Sequence, residues 1–584
     1  MGSMKTYFMN VFLAVSVIFC LLLTACDSGE APLLGDDSKQ VTSVDNDSSD
    51  DSDSADAGDG IYEYSYNDSI LIPSTVDDET INIAANIFIP VEKKDGEKFP
   101  AIIFINSWAL EEHEYIMQAR KFAKKGYIVL SYSCRGWGFS GGKIQMGGDI
   151  DWIDFNTIVG WLGENAPVDE QNIGVCGSSL GGGGSLQAIA HDERIKTAAA
   201  TSPYIDQFRS MYSQETPRLV WGSLLIFSGA LMGRISPWML DLYEYTLTGT
   251  NIDSVYEMTW DQGPVNFIDE VNKRNCPVYI SSNMGDYVFF SNFAVEYFNN
   301  LTVDHKFLDL NQGTHVSAEM GGILGYKNYV FDNIHLWFDH FLKGEDTGIT
   351  GADRTATITL EVKLTNERIV YEKESLKHVD GDTVSYQWPP KNEKRKVFYC
   401  TPGEEENRGV LSTGKNIEEQ ISTIISCFLT GTTTGIPIVS PILEENGTPF
   451  TVPLWSMIPA KSMVYLTEEL ESPLNLRGVP SVNLRLALSG KRGQVVLYLF
   501  DVDENDNATF ITHSFKTWWN AVEGEIMDVP LDFVFNAYDI EAGHRLALAI
   551  DTSDTEYGIP TIYQYKVSFV HDDVDQMVLS IPLQ

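Results

Sequence analysis

Positive charge is scarce in this 584-residue chain: 40 Lys plus Arg stand against 82 Asp plus Glu, a formal net charge of −42. A chain so acidic repels phosphate backbones and anionic bilayers, which argues against nucleic acid as a partner and against direct attraction to a membrane surface. Cysteine is also scarce, with 7 residues and no zinc or iron spacing, so no metal cluster is expected to organise the fold. There is no internal repeat, and the single long apolar run lies at the N-terminus. What the chain does have is 43% apolar and 11% aromatic residues, ample for large buried cores. Its length calls for two domains plus appendages.

Met1-Gly2-Ser3-Met4 reads as a cloning scar ahead of a native start at Met4. Lys5 then supplies a positive charge, and residues 11–23 form an apolar run too short for a comfortable spanning helix, the pattern of a secretory signal. The run ends in Leu23-Thr24-Ala25-Cys26, which resembles the bacterial lipobox. On that reading Cys26 becomes the mature N-terminus and carries lipid, and the protein is held in the bacterial cell envelope on a periplasmic or extracellular face. Asp27 leans the expectation towards retention at an inner membrane. Residues 27–60 contain 11 acidic residues and one lysine among Ser and Gly, with no apolar periodicity, and read as a disordered tether. That leaves a net charge of −33 on the folded part.

From residue 61 to about 350, short β-branched runs alternate with helical stretches, the signature of a mainly parallel sheet covered on both faces, an α/β domain. Strands are expected at 101–106, 127–132, 172–177, 196–201, 277–282 and 306–310. Residues 203–272 break the alternation and are rich in Trp, Met, Leu and Tyr, as expected of a helical cap over the strand ends, where ligands bind in such sheets. Beyond residue 351 the runs become short and alternating, as in 482–488, 495–500 and 546–550. They read as an antiparallel β-sandwich domain reaching residue 584.

The most informative stretch is Gly177-Ser178-Ser179-Leu180-Gly181, a GxSxG between a buried strand and a Gly-rich helix start. A nucleophilic hydroxyl must stand clear of the sheet on a strained strand-to-helix turn, which only small flanking residues permit, and this places Ser179 as nucleophile. Such a serine needs a base held by an acid, in chain order Ser, Asp, His. His315, in the loop after the 306–310 strand, stands where the base belongs. His305 lies at the wrong end of that strand, His335 and His340 lie on the final helix, and His113 reads as a solvated residue near the mouth. Asp286 follows the 277–282 strand and is the expected acid, ahead of Asp304 and Asp309. The oxyanion needs donors: the Leu180 N–H is one, and Trp108, in the loop after the first of these strands, is the other candidate through its indole or its main-chain N–H.

With these residues the chain resembles the Xaa-Pro dipeptidyl-peptidase and cocaine-esterase family of α/β-hydrolases (CocE/NonD-type acyl esterases). The resemblance rests on Arg135-Gly136-Trp137-Gly138-Phe139-Ser140-Gly141-Gly142, the Gly177–Gly181 elbow, Asp286, His315 and Trp337-Phe338-Asp339-His340-Phe341-Leu342. It extends through Trp388-Pro389-Pro390, Ser472-Pro473-Leu474 and Gly543-His544-Arg545-Leu546 of the second domain, which resembles that family's jelly roll. It implies a cofactor-free serine hydrolase that cleaves small ester or short peptide substrates through an acyl-enzyme. Members place a tyrosine hydroxyl in the oxyanion hole, and Trp108 is the nearest counterpart here. Members that bind a free α-amino group use carboxylates near the catalytic acid, whereas Val288, Phe289 and Phe290 follow Asp286. That tilts the expectation from dipeptidyl peptidase to acyl esterase, with Glu111, Glu112 and Glu114 as the other carboxylates at hand. An inactive envelope binding protein is the reading from a different class.

Two lesser signals remain. Asp501-Val502-Asp503-Glu504-Asn505-Asp506-Asn507 resembles the start of a calcium loop, but Asp506 stands where glycine is needed and Thr512 where glutamate is, so a hairpin tip is the better reading and no metal is expected. Cys400 and Cys427 share a domain and could bridge in an oxidising compartment.

Overall fold

The computed structural model describes residues 62–349, 356–365, 367–381, 383–415, 419–428, 430–437, 439–572 and 576–584. The expected signal, the lipobox Cys26 and the acidic tether lie outside the described residues. No helix among the described residues is long and apolar enough to cross a membrane.

The first domain opens with a hairpin, β1 (Tyr64–Val76) and β2 (Glu79–Pro90), ahead of the expected alternation. There follow β3 (Phe99–Ile105), α1 (Ile116–Lys124), β4 (Ile128–Tyr132), α2 (Asp149–Asn165), β5 (Val168–Ser178), α3 (Leu180–His191) and β6 (Ile195–Thr201). The region expected to form a cap does so with α4 (Gln207–Tyr212), α5 (Leu219–Met232), α6 (Pro237–Thr248), α7 (Ile252–Thr259) and α8 (Ile268–Arg274). The sheet resumes with β7 (Val278–Asn283), α9 (Ser291–Asn300), β8 (Lys306–Asn311), α10 (Ser317–Ile323) and α11 (Tyr329–Lys343).

The sheet order is β1-β2-β4-β3-β5-β6-β7-β8, parallel from β4 onward, with β2 antiparallel to β4. The swap of β3 and β4 with a helix after each central strand is the α/β-hydrolase arrangement. Two further strands, β9 (Ala356–Glu361) and β10 (Arg368–Glu372), extend this sheet, β9 parallel to β8 and β10 antiparallel to β9. The sheet therefore runs past the boundary expected at residue 350. Ala356 to Leu360 are all buried, as in a strand covered on both faces, whereas the sequence there reads as alternation.

The second domain is an almost wholly antiparallel β-sandwich, and its longest pairing joins Gly493–Val502 to Asn507–Trp518. The calcium-like segment forms the tip between them, with Asp503 Oδ1 accepting from the main-chain N–H groups of Asn505 and Asn507. Cys400 and Cys427 do not bridge each other. One apolar core fills the sheet face under α2 and α3 and continues into the sandwich, a second lies beneath α1 and α11, and a third fills the sandwich interior. The sandwich also holds the cap. Main-chain N–H groups of Leu219 and Val220 at the start of α5 donate to Glu556 O, and Trp519 Nε1 donates to Glu215 O at 3.0 Å. Gly249, at φ 63°, packs beneath Trp519, where a Cβ would lie 2.2 Å from the ring.

Lys306 marks the junction. Its buried Nζ donates to the carbonyls of Phe298, Leu301 and Tyr386, each at 2.7 Å, and burial pushes its ammonium down to about 7. Because the unfolded chain holds this proton up to a higher pH, wild-type stability should rise, relative to Lys306→Met, as pH climbs from about 7 towards 10. Urea midpoints measured across that range check this; parallel pH curves for the two proteins would contradict it.

Candidate active site

Ser179 stands between β5 and α3 with φ 57° and ψ −115°, a left-handed and strained turn. Close packing holds it there. A Cβ on Gly181 would lie 2.1 Å from Ile105 O, and one on Gly177 would lie 2.6 Å from the Gly181 carbonyl carbon. The Ser179 N–H donates to Thr201 O of β6. Neither serine of the motif caps α3: Ser178 Oγ meets Thr201 Oγ1, and Ser179 Oγ turns outwards.

It meets the expected histidine. Ser179 Oγ lies 2.8 Å from His315 Nε2, and His315 Nδ1 lies 2.7 Å from Asp286 Oδ2. All three follow the carboxyl ends of parallel strands of one sheet, β5, β7 and β8, with β6 between the first two. Asp286 is fully buried, and its Oδ1 accepts the main-chain N–H groups of Val288 and Phe289. The apolar run after Asp286 thus orients the carboxylate through its backbone, while the rings of Phe289 and Trp221 flank the imidazole at 5.1 and 5.9 Å.

The oxyanion side corrects one expectation. The Trp108 indole N–H is already engaged, donating to Leu225 O and Ser228 Oγ on α5, each at 3.1 Å. Trp108 ties the cap to the oxyanion loop, which leaves its main-chain N–H and that of Leu180 as the donors available to the site. The sequence reading also missed what shapes this loop. Glu114 grips it, with Oε2 2.6 Å from the Ser107 N–H nitrogen and Oε1 2.6 Å from Ser107 Oγ. Tyr115 OH accepts from the N–H of Ser178, so the loop and the elbow share one network. Burial pushes the Glu114 carboxyl up to about 7.

The rival residues are occupied elsewhere. His335 stacks on Phe122, His340 Nδ1 faces Glu345 O, and His305 lies at the amino end of β8. Asp304 bonds Asn275, and Asp309 is buried against Tyr279, Thr359 and Asn333. Glu111, Glu112 and His113 bring a ligand atom each within 4.8 Å of one another, the one group among the described residues so placed. Glu112 is bonded to Ser133, however, and His113 faces Glu111.

Above Ser179 opens a cavity walled by Trp108, Met146, Trp221, Leu225, Met239 and Phe289. No carboxylate lines it, and Arg218 is its sole charged residue. Glu111, Glu112 and Glu114 all lie outside its walls.

A serine on a strand-to-helix elbow, with aspartate and histidine following the next strands, defines a serine hydrolase of the α/β-hydrolase fold. The family resemblance spans both domains: residues 78–317 match the X-Pro dipeptidyl-peptidase (S15 family), and residues 350–568 match the X-Pro dipeptidyl-peptidase C-terminal non-catalytic domain. A Rhodopirellula baltica protein assigned as an Xaa-Pro dipeptidyl-peptidase is 22% identical, covering 79% of this chain and 72% of its own. A shorter curated match, to a Pseudomonas aeruginosa protein, spans only 36% of that protein. Among solved structures, a CocE/NonD family hydrolase from Staphylococcus aureus superposes with TM-score 0.66 at 12% identity, over 89% of this chain and 94% of that one. An α-amino acid ester hydrolase does so with TM-score 0.65 at 15% identity, over 91% and 98%. These two likenesses are of fold.

Glu114→Ala removes both acceptors and leaves the Ser107 N–H unpaired, so kcat should fall about tenfold with KM changed less than about twofold. Steady-state ester hydrolysis checks this; a wild-type kcat would show that the loop does not depend on the grip.

Proposed function

We propose that this chain is an acyl esterase. Ser179 Oγ attacks the ester carbonyl while His315 Nε2 takes its proton, and Asp286 holds the imidazole and stabilises the imidazolium. The main-chain N–H groups of Leu180 and Trp108 receive the oxyanion. The proton on His315 passes to the leaving oxygen, and water then cleaves the acyl-enzyme by the same route. What carries the reading is the Ser179–His315–Asp286 chain, at 2.8 and 2.7 Å, opening into an apolar cavity with no carboxylate in its wall. An ammonium group on a substrate would find no counter-charge there, which favours ester over dipeptide substrates.

The second reading, an Xaa-Pro dipeptidyl peptidase, is favoured by the family match and by the name of the Rhodopirellula relative. We further propose that the protein works in a bacterial cell envelope, lipid-anchored at Cys26; the apolar run ending in Leu23-Thr24-Ala25-Cys26 supports this.

A panel of p-nitrophenyl esters against Gly-Pro- and Ala-Pro-anilides separates the two activities. The esters should turn over, with Ser179→Ala lowering the rate by at least about a thousandfold. Turnover of the anilides alone would overturn the esterase reading.

A further inference from the structure

The cavity above Ser179 has an unbalanced hydrogen-bonding inventory. Arg218, 6% exposed, donates through Nε to Ser210 O, another wall residue, but its Nη1 and Nη2 have no hydrogen-bond partner. Trp221, on the same wall and flanking His315, carries a buried indole N–H that also has none. Both are donors. Three rings, Phe290, Phe515 and Tyr557, lie 4.1, 4.8 and 5.3 Å from the guanidinium carbon. Packing of this kind covers the faces of a guanidinium and leaves the N–H groups, which lie in its plane along its edge, to find acceptors elsewhere. The Tyr557 hydroxyl bonds His513 Nε2, and its oxygen, near enough to act on the guanidinium, can take up at most one of the two Nη groups.

The carboxyl group nearest in charge, Glu556, forms no ion pair with Arg218, and both its oxygens are buried without a hydrogen-bond partner. Burial, with Asp554 beside it, pushes that carboxyl well above the usual range despite Arg218 and favours its neutral form. The guanidinium therefore keeps two unpaired nitrogens beside an apolar chamber, with no ion pair to Glu556 or to Asp286, the two carboxyl groups whose charge reaches it. Stranded donors cost free energy that a ligand with acceptors would recover, and an anionic acceptor would recover most.

We propose that Arg218 is a specificity-determining residue that receives a carboxylate of the substrate, so that the preferred substrate is an ester with an apolar body and an acidic end. The inference rests on the esterase reading and sharpens its substrate class. The acid could sit at the far end of the acyl chain or on the leaving group, and two substrate pairs distinguish these sources. Mono-(4-nitrophenyl) adipate is compared with 4-nitrophenyl hexanoate, and 4-carboxyphenyl hexanoate with phenyl hexanoate.

In wild type, kcat/KM for the acidic member of one pair should exceed that for its neutral partner by about tenfold or more. Arg218→Met should collapse that ratio to one or below, and Arg218→Lys should restore part of it. Acidic members that are no better than neutral ones in both pairs would overturn the proposal, as would a ratio that survives Arg218→Met. Should the methionine variant not fold, wild-type tryptophan fluorescence titrated with adipamate (6-amino-6-oxohexanoate) and with neutral hexanamide decides. Adipamate should bind about tenfold more tightly, and equal binding would overturn the site. This titration needs no turnover, so failure of the esterase reading, seen as hydrolysis of neither ester, is told apart from failure of the carboxylate site.

Discussion

The strained turn at Ser179 depends on a close approach of backbone to backbone. Ile105 O at the end of β3 sits where a side chain on Gly181 would be, and Gly177 lies against the same glycine. With both neighbours lacking Cβ, α3 settles directly on the sheet, and the serine between them is pushed to φ 57° with its hydroxyl facing out. Everything that makes the site chemical is referenced to that hydroxyl. The loops after β7 and β8 deliver Asp286 and His315 at hydrogen-bond distance because those strands run parallel to β5 in the same sheet.

The second domain contributes by holding the cap. Glu556 O, Trp519 and Gly558 engage the segment around residues 215–220, which starts the helix that forms one wall of the cavity. Trp108 fastens the same helix from the other side, through its indole N–H. A chamber built this way has an apolar interior set by the cap and a floor set by the sheet. Its one charge, Arg218, enters where cap and sandwich meet.

The parts of this arrangement that depend on local order were legible in the sequence. Ser179, Asp286 and His315 could be placed because each follows a short apolar strand, and the cap because residues 203–272 abandon the strand–helix rhythm. What escaped depends on partners distant in the chain. The direction of the Trp108 indole is set by carbonyl and hydroxyl groups about 120 residues away, so the sequence reading left an oxyanion role open to it that the structure assigns to the cap. The two strands after residue 350 look alternating, yet β9 is buried on both faces because it extends a parallel sheet. Glu114 read as a spare carboxylate for substrate, and its real partner, Ser107, is revealed only by the turn between them.

The central claim is that one hydroxyl, Ser179, is made nucleophilic by one imidazole. Intact-mass analysis after treatment with a fluorophosphonate, followed by peptide mapping, tests it most directly. The account predicts a single adduct per folded chain, located on Ser179, forming far more slowly in His315→Ala. A folded wild-type protein that takes up no label, or that carries it on another residue, would contradict it.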